Sequence, residues 1–200
     1  KKDEGRTVTS VWGNRGCLRR CVFCADGSAK TIYGVPLRER SPANIADEME
    51  MIHEKHGVEF LKFADAEMNT RPGRMKELCI EFIARKWDIQ FGGNLLANPM
   101  SKEDAELMYK AGCREVWIGV ESGNLAVHRA MGKGVTPDLI RKAFLWCKEA
   151  GLKRRAYVLM GHKQETFQTI AETERLIDDI QPDTLSLSYL APYPGTAVFD

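Results

Sequence analysis

No uninterrupted apolar run in these 200 residues approaches the roughly 20 residues that a membrane-spanning helix needs. The first residues, Lys1 to Glu4, are charged and no apolar segment follows them, so no signal peptide is visible. Excess charge of one sign is also missing: 29 Lys and Arg stand against 28 Asp and Glu, which excludes a strongly polybasic nucleic-acid module. Linkers and low-complexity tracts are absent, so we expect one domain over residues 1–200, as an excerpt of a longer chain.

Short apolar runs alternate with longer amphipathic segments along the chain. Most of these runs carry apolar residues on both alternating faces, which is typical of buried parallel strands. They comprise residues 7–12, 58–64, 88–92, 114–120, 155–160 and 184–189. The succession indicates a parallel α/β sheet, either open and doubly wound or closed into a barrel or partial barrel, with ligands at the carboxyl ends of the strands.

Apolar residues recur at helical spacing between these runs. The stripes are Ile45, Met49 and Ile52; Met75, Leu78, Cys79, Phe82 and Ile83; Ile140, Ala143, Phe144 and Cys147; and Phe167, Ile170, Ile177 and Ile180 in a helix from about Gln164. N-cap residues predict helix starts at Ser41, Ser101 and Thr136. Glycines predict helix ends at Gly57, Gly112 and Gly151.

Three of the six cysteines form a C-x3-C-x2-C pattern at Cys17, Cys21 and Cys24, in the loop after the first strand. Three thiolates on so short a loop indicate a soft-metal site. A structural zinc ion takes four ligands, and His53, the next candidate, is some thirty residues away. A [4Fe–4S] cluster can be held by three cysteines with one iron left open. Zinc with a distant or partner-chain ligand, or plain free thiols, are the alternatives.

The other cysteines are expected to be inert. Cys79 and Cys147 lie in apolar helix stripes, and Cys113 lies in a helix-to-strand turn, where packing explains them. A chain with this apolar content does not need disulfides, so we expect a reducing cytoplasm.

Four sequence segments together resemble one enzyme family. They are the cysteine motif with Phe23 before its last cysteine, residues 38–45, Gly119–Gly123 followed by Met131–Gly134, and residues 191–196. The pattern is similar to the radical S-adenosylmethionine (radical SAM) superfamily over nearly the whole chain. The resemblance implies a partial (β/α)6 TIM-like barrel with a mostly parallel sheet. It implies a [4Fe–4S] cluster and SAM as cofactors, with electron transfer cleaving SAM to methionine and a 5′-deoxyadenosyl radical.

The resemblance also implies SAM-binding positions at the strand ends. In place of the family's Gly-Gly-Glu element this chain has Asp65, Ala66 and Glu67, of which Glu67 is expected to contact the methionine amino group and Asp65 to supplement it. Glu121 and Ser122 are expected to contact the ribose hydroxyls or the methionine end of SAM. The backbone near Phe23 and Leu190 is expected to contact adenine. The contact to the SAM carboxylate is assigned to Asn94 or Arg155.

His162 stands where relatives carry a Pro-Gly-Glu-Thr turn. It could face substrate, but we expect an exposed turn histidine.

The same segments most resemble members that carry a cobalamin-binding domain before the barrel, many of which are methyltransferases. No cobalamin-binding sequence lies within these residues, so that domain would precede Lys1. The expected partners are a small-molecule or peptide substrate and an external electron donor such as flavodoxin or ferredoxin.

Two other functions stay open at this point. One is a methylthiotransferase acting on tRNA or protein, although no second cysteine triad is visible. The other is a non-catalytic iron–sulfur or zinc module. Positive charge gathers around the cysteine loop, which would suit an anionic substrate or RNA, or simply a solvated face that offsets the cluster's charge. The residues are Arg15, Arg19, Arg20, Lys30, Arg38 and Arg40.

Overall fold

The computed structural model describes residues 2–3, 5–26, 34 and 37–199. Its strands are β1 (Lys2–Asp3), β2 (Arg6–Val11), β3 (Asn14–Gly16), β4 (Leu37–Glu39), β5 (Phe60–Phe63), β6 (Gln90–Leu95), β7 (Cys113–Glu121), β8 (Lys153–Met160) and β9 (Thr184–Tyr189). Its helices are α1 (Pro42–His56), α2 (Arg74–Arg85), α3 (Lys102–Lys110), α4 (Leu125–Met131), α5 (Pro137–Ala150) and α6 (Phe167–Ile180). None of these helices is long and apolar enough to cross a membrane.

Six parallel strands form a half-barrel. Their order is β2-β5-β6-β7-β8-β9, and β1 adds to β2 as a short antiparallel strand. Because this order follows the chain without reversal, the sheet has no switch point and the doubly wound alternative is excluded. The partial barrel is therefore confirmed.

The predicted helix starts are confirmed by their caps. The Ser41 hydroxyl accepts from the Asn44 N–H, and the Thr136 hydroxyl accepts from the Leu139 N–H. Ser101 forms a full capping box with Asp104. At the C-terminal ends of α1 and α5, Gly57 and Gly151 take the left-handed conformation of a C-cap. The C-cap of α3 is Ala111, one residue before the predicted glycine.

Other boundaries differ from the prediction. Helix α6 begins at Phe167 rather than near Gln164, because Thr166 caps it, and the Phe167 side chain is 93% exposed rather than in the core. Ile83 is also exposed. Strand β6 extends through Gly92 and Gly93 to Leu95, beyond the predicted end at residue 92. Glycine fits there because a Cβ on Gly93 would overlap the Phe63 side chain.

The sequence pattern missed four short elements, the helix α4 and the strands β1, β3 and β4. Helix α4 follows the end of β7 after one turn, and its N-cap Asn124 accepts from the N–H groups of Ala126 and Val127. Strands β3 and β4 pair as an antiparallel ribbon beside the cysteine loop. All four elements lack a full apolar period, so periodicity does not reveal them.

The core lies between the outer face of the sheet and the helices. Fully buried side chains such as Leu61, Phe91, Val116, Ile118 and Phe144 belong to it. The cysteines predicted to be inert, Cys79, Cys113 and Cys147, lie in the same cluster, although Cys113 begins β7 instead of lying in a turn. The strands are not apolar on both faces as expected, since the inner face of the half-barrel carries polar side chains.

Candidate functional site

The cysteine loop follows β3 at the edge of the sheet where the parallel strands end. All three thiols are free, with Cys17 buried and both Cys21 and Cys24 half-buried. A hydrogen bond joins the loop to the C-terminal end of α4: the Val22 N–H donates to the Met131 carbonyl at 3.0 Å. A Cβ on Gly132 would approach the Arg20 carbonyl, so this glycine permits the loop to pack closely.

The three cysteines line one cavity of about 310 Å³. We call it the cysteine cavity. Its wall combines these thiols with acidic, basic and aromatic side chains from the ends of several strands. Its other lining residues are Arg19, Phe23, Asp26, Ala66, Glu67, Asn94, Leu95, Leu96, Trp117, Gly119, Glu121, Lys133 and Tyr157.

The donor set fits an iron–sulfur cluster better than a single ion. No group of three or more His, Cys, Asp or Glu side chains within the described residues is arranged to hold one metal ion. A four-iron cluster takes each cysteine on a different iron, so its ligands need not converge on one point. Three free thiols around one cavity meet that requirement.

Burial and neighbouring charges set the pKa values of the thiols. Burial raises the pKa of Cys17 to about 12, and the adjacent Glu67 carboxylate adds to the shift. Burial also raises the pKa of Cys21 to about 11, although the Lys133 ammonium acts in the opposite direction. Both thiols are therefore protonated near neutral pH, and binding a metal there releases their protons.

A buried ion pair faces these thiols across the cavity. The Lys133 ammonium donates to the Glu121 carboxylate and, at 2.8 Å, to the Gly119 carbonyl. Glu121 has a φ of 59°, in the left-handed region, which turns the chain at the end of β7. A Cβ on Gly119 would collide with both charged groups, so glycine at that position makes room for the pair.

The structure brings together five of the nine predicted SAM-binding residues. Side chains or backbone of Phe23, Ala66, Glu67, Asn94 and Glu121 line the cysteine cavity. The other four, Asp65, Ser122, Arg155 and Leu190, do not belong to its lining.

Asp65 is hydrogen-bonded to the chain beside the cysteine loop, and its expected contact with SAM stays a prediction. Its carboxylate accepts from the Gly13 N–H at 2.8 Å, the Asn14 N–H at 3.2 Å and the Asn14 side-chain amide at 2.8 Å. The side chain is 2% exposed, and burial raises its pKa to about 6 against the lowering effect of these hydrogen bonds. Asp65 therefore fixes the turn between β2 and β3, which leads into the cysteine loop, and does not reach the cavity.

Ser122 and Arg155 also lie away from the cavity. Ser122 is fully buried, and its hydroxyl accepts from the Asn124 N–H and lies 3.4 Å from the hydroxyl of Thr173 on α6. Arg155 lies near the start of β8, where its guanidinium is 3.3 Å from the Glu115 carboxylate. It pairs in register with Trp117 of the cavity wall, but its guanidinium is turned to Glu115 and to the Thr184 hydroxyl.

Leu190 and His162 line a second cavity of about 500 Å³ with Val22 of the cysteine loop. The expectation of an exposed His162 is wrong, because its side chain is 4% exposed. The Glu165 N–H donates to the His162 carbonyl, which folds the turn inward. Burial lowers the pKa of His162, so the ring is neutral near pH 7.

The basic residues near the cysteine loop differ in their surroundings, and Arg15 and Arg38 lie opposite each other on β3 and β4. Arg19 lines the cysteine cavity, whereas the Arg40 guanidinium is bound by Glu48, the Asn44 side chain and the Trp12 carbonyl. Arg15 is exposed, and Lys30 lies outside the described residues.

The sequence analysis did not assign Trp117, Lys133 and Tyr157 to the site, and it did not name the lining residues Asp26, Leu95 and Leu96. Lys133 stands between two glycines directly after a helix, and that pattern could have identified it. The inward direction of Trp117 and Tyr157 depends on strand register, which no local signal gives.

Comparison with known proteins gives the same family from the sequence. The family model of the radical SAM superfamily matches residues 13–177. An uncharacterized methyltransferase of Pyrococcus horikoshii is 25% identical over 199 residues, which are 100% of this chain and 43% of that protein. The anaerobic magnesium-protoporphyrin IX monomethyl ester cyclase of Cereibacter sphaeroides is 31% identical over 92% of this chain and 30% of that protein. The chain thus spans less than half the length of these curated relatives.

Solved structures share the fold. The radical SAM methyltransferase TsrM of Kitasatospora setae, with cobalamin and a [4Fe–4S] cluster bound, matches with a TM-score of 0.86 at 22% identity, over 96% of this chain and 38% of TsrM. The cobalamin-dependent SAM radical enzyme OxsB matches with a TM-score of 0.70 at 19% identity, over 84% of this chain and 26% of OxsB. Together with the cysteine cavity and the half-barrel, the family match shows that this chain belongs to the radical SAM superfamily, whose cofactors are a [4Fe–4S] cluster and SAM.

Proposed function

We propose that Cys17, Cys21 and Cys24 hold the [4Fe–4S] cluster and that SAM binds beside them in the cysteine cavity. The observation that carries this proposal is the meeting of three free thiols, the Glu67 carboxylate and the Lys133 ammonium around one space. When bound, the cluster supplies the electron that cleaves SAM to methionine and a 5′-deoxyadenosyl radical.

The amino acid end of SAM needs an acceptor for its ammonium and a donor for its carboxylate. Glu67 supplies the acceptor, with the backbone of Ala66 beside it. Lys133 supplies the donor, and its contacts with Glu121 and the Gly119 carbonyl hold the ammonium at the cavity wall. Asn94 is held by a hydrogen bond from its amide to the Asp65 carbonyl at 2.9 Å, and it offers its side-chain oxygen to the ligand.

The backbone near Phe23 is the proposed contact for adenine. Leu190 adds an apolar wall on the other side of the cysteine loop, in the second cavity.

We further propose that the whole protein transfers a methyl group in a cobalamin-dependent reaction, with a cobalamin-binding domain outside these residues. Support comes from relatives named as methyltransferases, including a bacteriochlorophyllide d C-12(1)-methyltransferase that is 27% identical over 95% of this chain, and from cobalamin in the structural neighbours. The substrate is a small molecule or peptide. The electron donor is an external protein such as flavodoxin or ferredoxin, and the six free thiols suit the cytoplasm.

A methylthiotransferase acting on tRNA or protein is the second candidate. Its second thiol triad would have to lie outside these residues, because the remaining cysteines, Cys79, Cys113 and Cys147, are fully buried in the core. Burial raises the pKa of Cys79 to about 12, and the same cause raises that of Cys147 to about 12. These thiols are unsuited to holding a second cluster.

The cluster assignment is tested by replacing each of Cys17, Cys21 and Cys24 with alanine. Anaerobic reconstitution of each variant is followed by absorbance near the cluster's visible band and by EPR after reduction, and SAM cleavage is followed by formation of 5′-deoxyadenosine. We expect loss of both signals with unchanged circular dichroism. Cys147→Ala is the matched control and should keep both signals. A variant of the triad that still cleaves SAM would refute the assignment, and a full-length protein without bound cobalamin would refute the methylation proposal.

A further inference from the structure

The ribbon of β3 and β4 carries two arginines on the face that points away from the core. Arg15 and Arg38 stand opposite each other in the antiparallel register, and both side chains are exposed. Residues directly opposite each other in such a ribbon project to the same face. The next pair, Asn14 and Glu39, projects to the other face, where Asn14 is buried against Asp65. We call Arg15 and Arg38 the ribbon arginines.

The positive charge of the ribbon arginines is not neutralised by the rest of the described chain. Within those residues, no side chain or carbonyl forms a hydrogen bond or ion pair with either guanidinium. Two acidic residues that follow them in the chain already have partners, since Glu39 accepts from Arg71 at 3.0 Å and Glu48 accepts from Arg40. Like charges directly opposite in a ribbon repel each other, which costs stability. An anionic surface placed over the ribbon would relieve that repulsion.

The ribbon leads directly into the cysteine loop. Arg15 and Cys17 are two residues apart, and the Cα atoms of such residues lie at most about 7 Å from each other. A molecule bound to the ribbon arginines therefore lies next to a proposed ligand of the cluster. Trp12 and Leu18, which flank β3 in the chain, are 52% and 47% exposed. Arginine together with exposed aromatic and apolar side chains is typical of a protein interface.

The small number of charges favours a protein partner over a nucleic acid. Proteins that bind nucleic acids through the backbone commonly make about 6–10 phosphate contacts, whereas the ribbon offers two cations. Transient electron-transfer complexes are among the smallest protein interfaces, at less than about 1,200 Å² of buried surface, and a few charges suffice to steer their formation. The proposed function requires such a partner, because an external protein has to deliver each electron to the cluster.

We propose that the ribbon arginines are the docking surface for an acidic face of the electron-donor protein, with Trp12 and Leu18 as the apolar part of that surface. In the docked complex the reduced donor loses one electron, the cluster gains it, and no covalent bond forms or breaks. The inference rests on the proposed function, since it takes Cys17 as a ligand of the cluster.

The first test measures binding and needs no turnover. An acidic flavodoxin, oxidised and labelled with a fluorophore, is titrated with the full-length protein at low ionic strength, and the anisotropy gives the dissociation constant. Arg15→Gln and Arg38→Gln should each weaken binding at least about threefold, and the double variant at least about tenfold, because each change removes an attractive charge. About 0.5 M salt should remove the difference between wild type and the double variant, because it screens exposed charges.

A matched control removes the same charge elsewhere. Lys76 on α2 and Lys142 on α5 are exposed, so a Lys76→Gln/Lys142→Gln double variant lowers the net charge by the same two units. It should bind flavodoxin as wild type does. Equal weakening in this control would mean that net charge alone attracts the flavodoxin, and it would overturn the proposal.

The second test measures the rate of reduction under anaerobic conditions by stopped-flow absorbance. Flavodoxin hydroquinone should reduce the arginine double variant at least about tenfold more slowly than wild type, because docking is slower. Photoreduced deazaflavin, a small reductant that needs no docking surface, should reduce both proteins at the same rate. Equal slowing with deazaflavin would place the effect at the cluster itself and would overturn the proposal.

Other occupants of the ribbon give different results. Unchanged flavodoxin affinity in the arginine double variant would overturn the proposal. If that variant also loses binding to tRNA, the ribbon serves RNA, and if its free energy of unfolding falls instead, another part of the full-length protein covers the ribbon. The proposed function is read separately on the same samples, from the visible absorbance of the cluster and from SAM cleavage driven by deazaflavin. Arginine-dependent flavodoxin binding without a cluster would contradict the function alone, and a cluster without such binding would contradict this inference alone.

Discussion

At the residue scale, the chemistry of the site depends on a few buried charges around free thiols. Lys133 is 7% exposed and Glu67 is 3% exposed, so both charges act in a medium of low polarity where ionic contacts with a ligand are strong. Lys133 and Glu67 carry opposite charges, as the two ends of an amino acid require. They lie in separate loops, so in the proposed site each can bind its own end of SAM.

Replacing Lys133 should weaken SAM binding. We expect Lys133→Gln to raise the dissociation constant of SAM at least about tenfold, because a charged hydrogen bond to the ligand is lost. Lys133→Arg keeps the charge and should recover part of the affinity. Equilibrium dialysis with cluster-loaded protein measures this, and equal affinity in wild type and Lys133→Gln would remove the lysine from the site.

A second prediction at the residue scale concerns the contact between Glu67 and SAM. Glu67→Ala should weaken SAM binding by about tenfold, because the ammonium loses its carboxylate partner. Lys76→Ala, an exposed change on α2, is the control and should bind SAM as wild type does. If the two variants bind SAM equally, Glu67 does not contact the ligand.

Asp65 predicts a pH dependence of stability. Its pKa is raised from 3.8 to about 6 in the folded protein. Between those values the folded state keeps a proton that the unfolded state has released, so the free energy of unfolding falls as pH rises through this window. The loss amounts to roughly 3 kcal/mol.

Asp65→Asn has no titrating group at this position and provides the reference. Urea unfolding between pH 4 and pH 7 measures the free energy of unfolding of both proteins. As pH rises, the wild-type value should fall relative to that of Asp65→Asn. A difference that stays constant over this range would mean that Asp65 ionises normally.

At the element scale, the turn after β7 is held by α6. The Gly123 N–H donates to the Thr173 hydroxyl at 2.8 Å, and the Asn124 amide donates to the Glu172 carboxylate at 2.6 Å. A Cβ on Gly123 would overlap the backbone of Glu172. Glu121 is the last residue before this turn. The packing of α6 against the turn therefore also fixes the position of the Glu121 carboxylate in the cysteine cavity.

Gly123→Ala should therefore destabilise the protein by about 1–3 kcal/mol through overpacking. Thr173→Val keeps the volume but leaves the half-buried Gly123 N–H without its acceptor, which should cost about 1 kcal/mol. Denaturant unfolding measures both values. Wild-type stability in Gly123→Ala would show that α6 can move away from the turn without cost.

At the scale of the whole molecule, the half-barrel has unequal edges. Strand β7 has a partner on each side, whereas β9 pairs only with β8 within the part of the chain that the structure describes. Leu187 and Tyr189 of β9 are 62% and 83% exposed, while Val116 and Ile118 of β7 are fully buried. Local opening is easiest where a strand has few buried contacts.

Hydrogen–deuterium exchange of the 200-residue chain should show this gradient. Peptides from β9 should exchange fastest among the parallel strands, and those from β6 and β7 slowest, because opening the centre requires breaking the core. Mass spectrometry of quenched samples measures the rates. Protection of β9 equal to that of β7 would contradict the order.

Local patterns predicted much of the fold. Caps at Ser41, Ser101 and Thr136, together with apolar periodicity, gave the long helices, because these signals act within one or two turns. Resemblance to a family then selected the partial barrel over the doubly wound sheet. The sequence pattern did not predict short elements such as α4, because seven residues contain too few apolar positions to show a helical period.

The sequence by itself determined which residues can do chemistry here, because a cysteine triad on an eight-residue loop brings its thiols together whatever the rest of the chain does. Only the tertiary structure decided which acidic and basic residues meet that triad. Asp65 and Glu67 are two positions apart, yet one carboxylate fixes a backbone turn and the other lines the cavity. Lys133 and Trp117 reach the same space from distant segments, because strand register and the packing of helices against the sheet set the direction of a side chain.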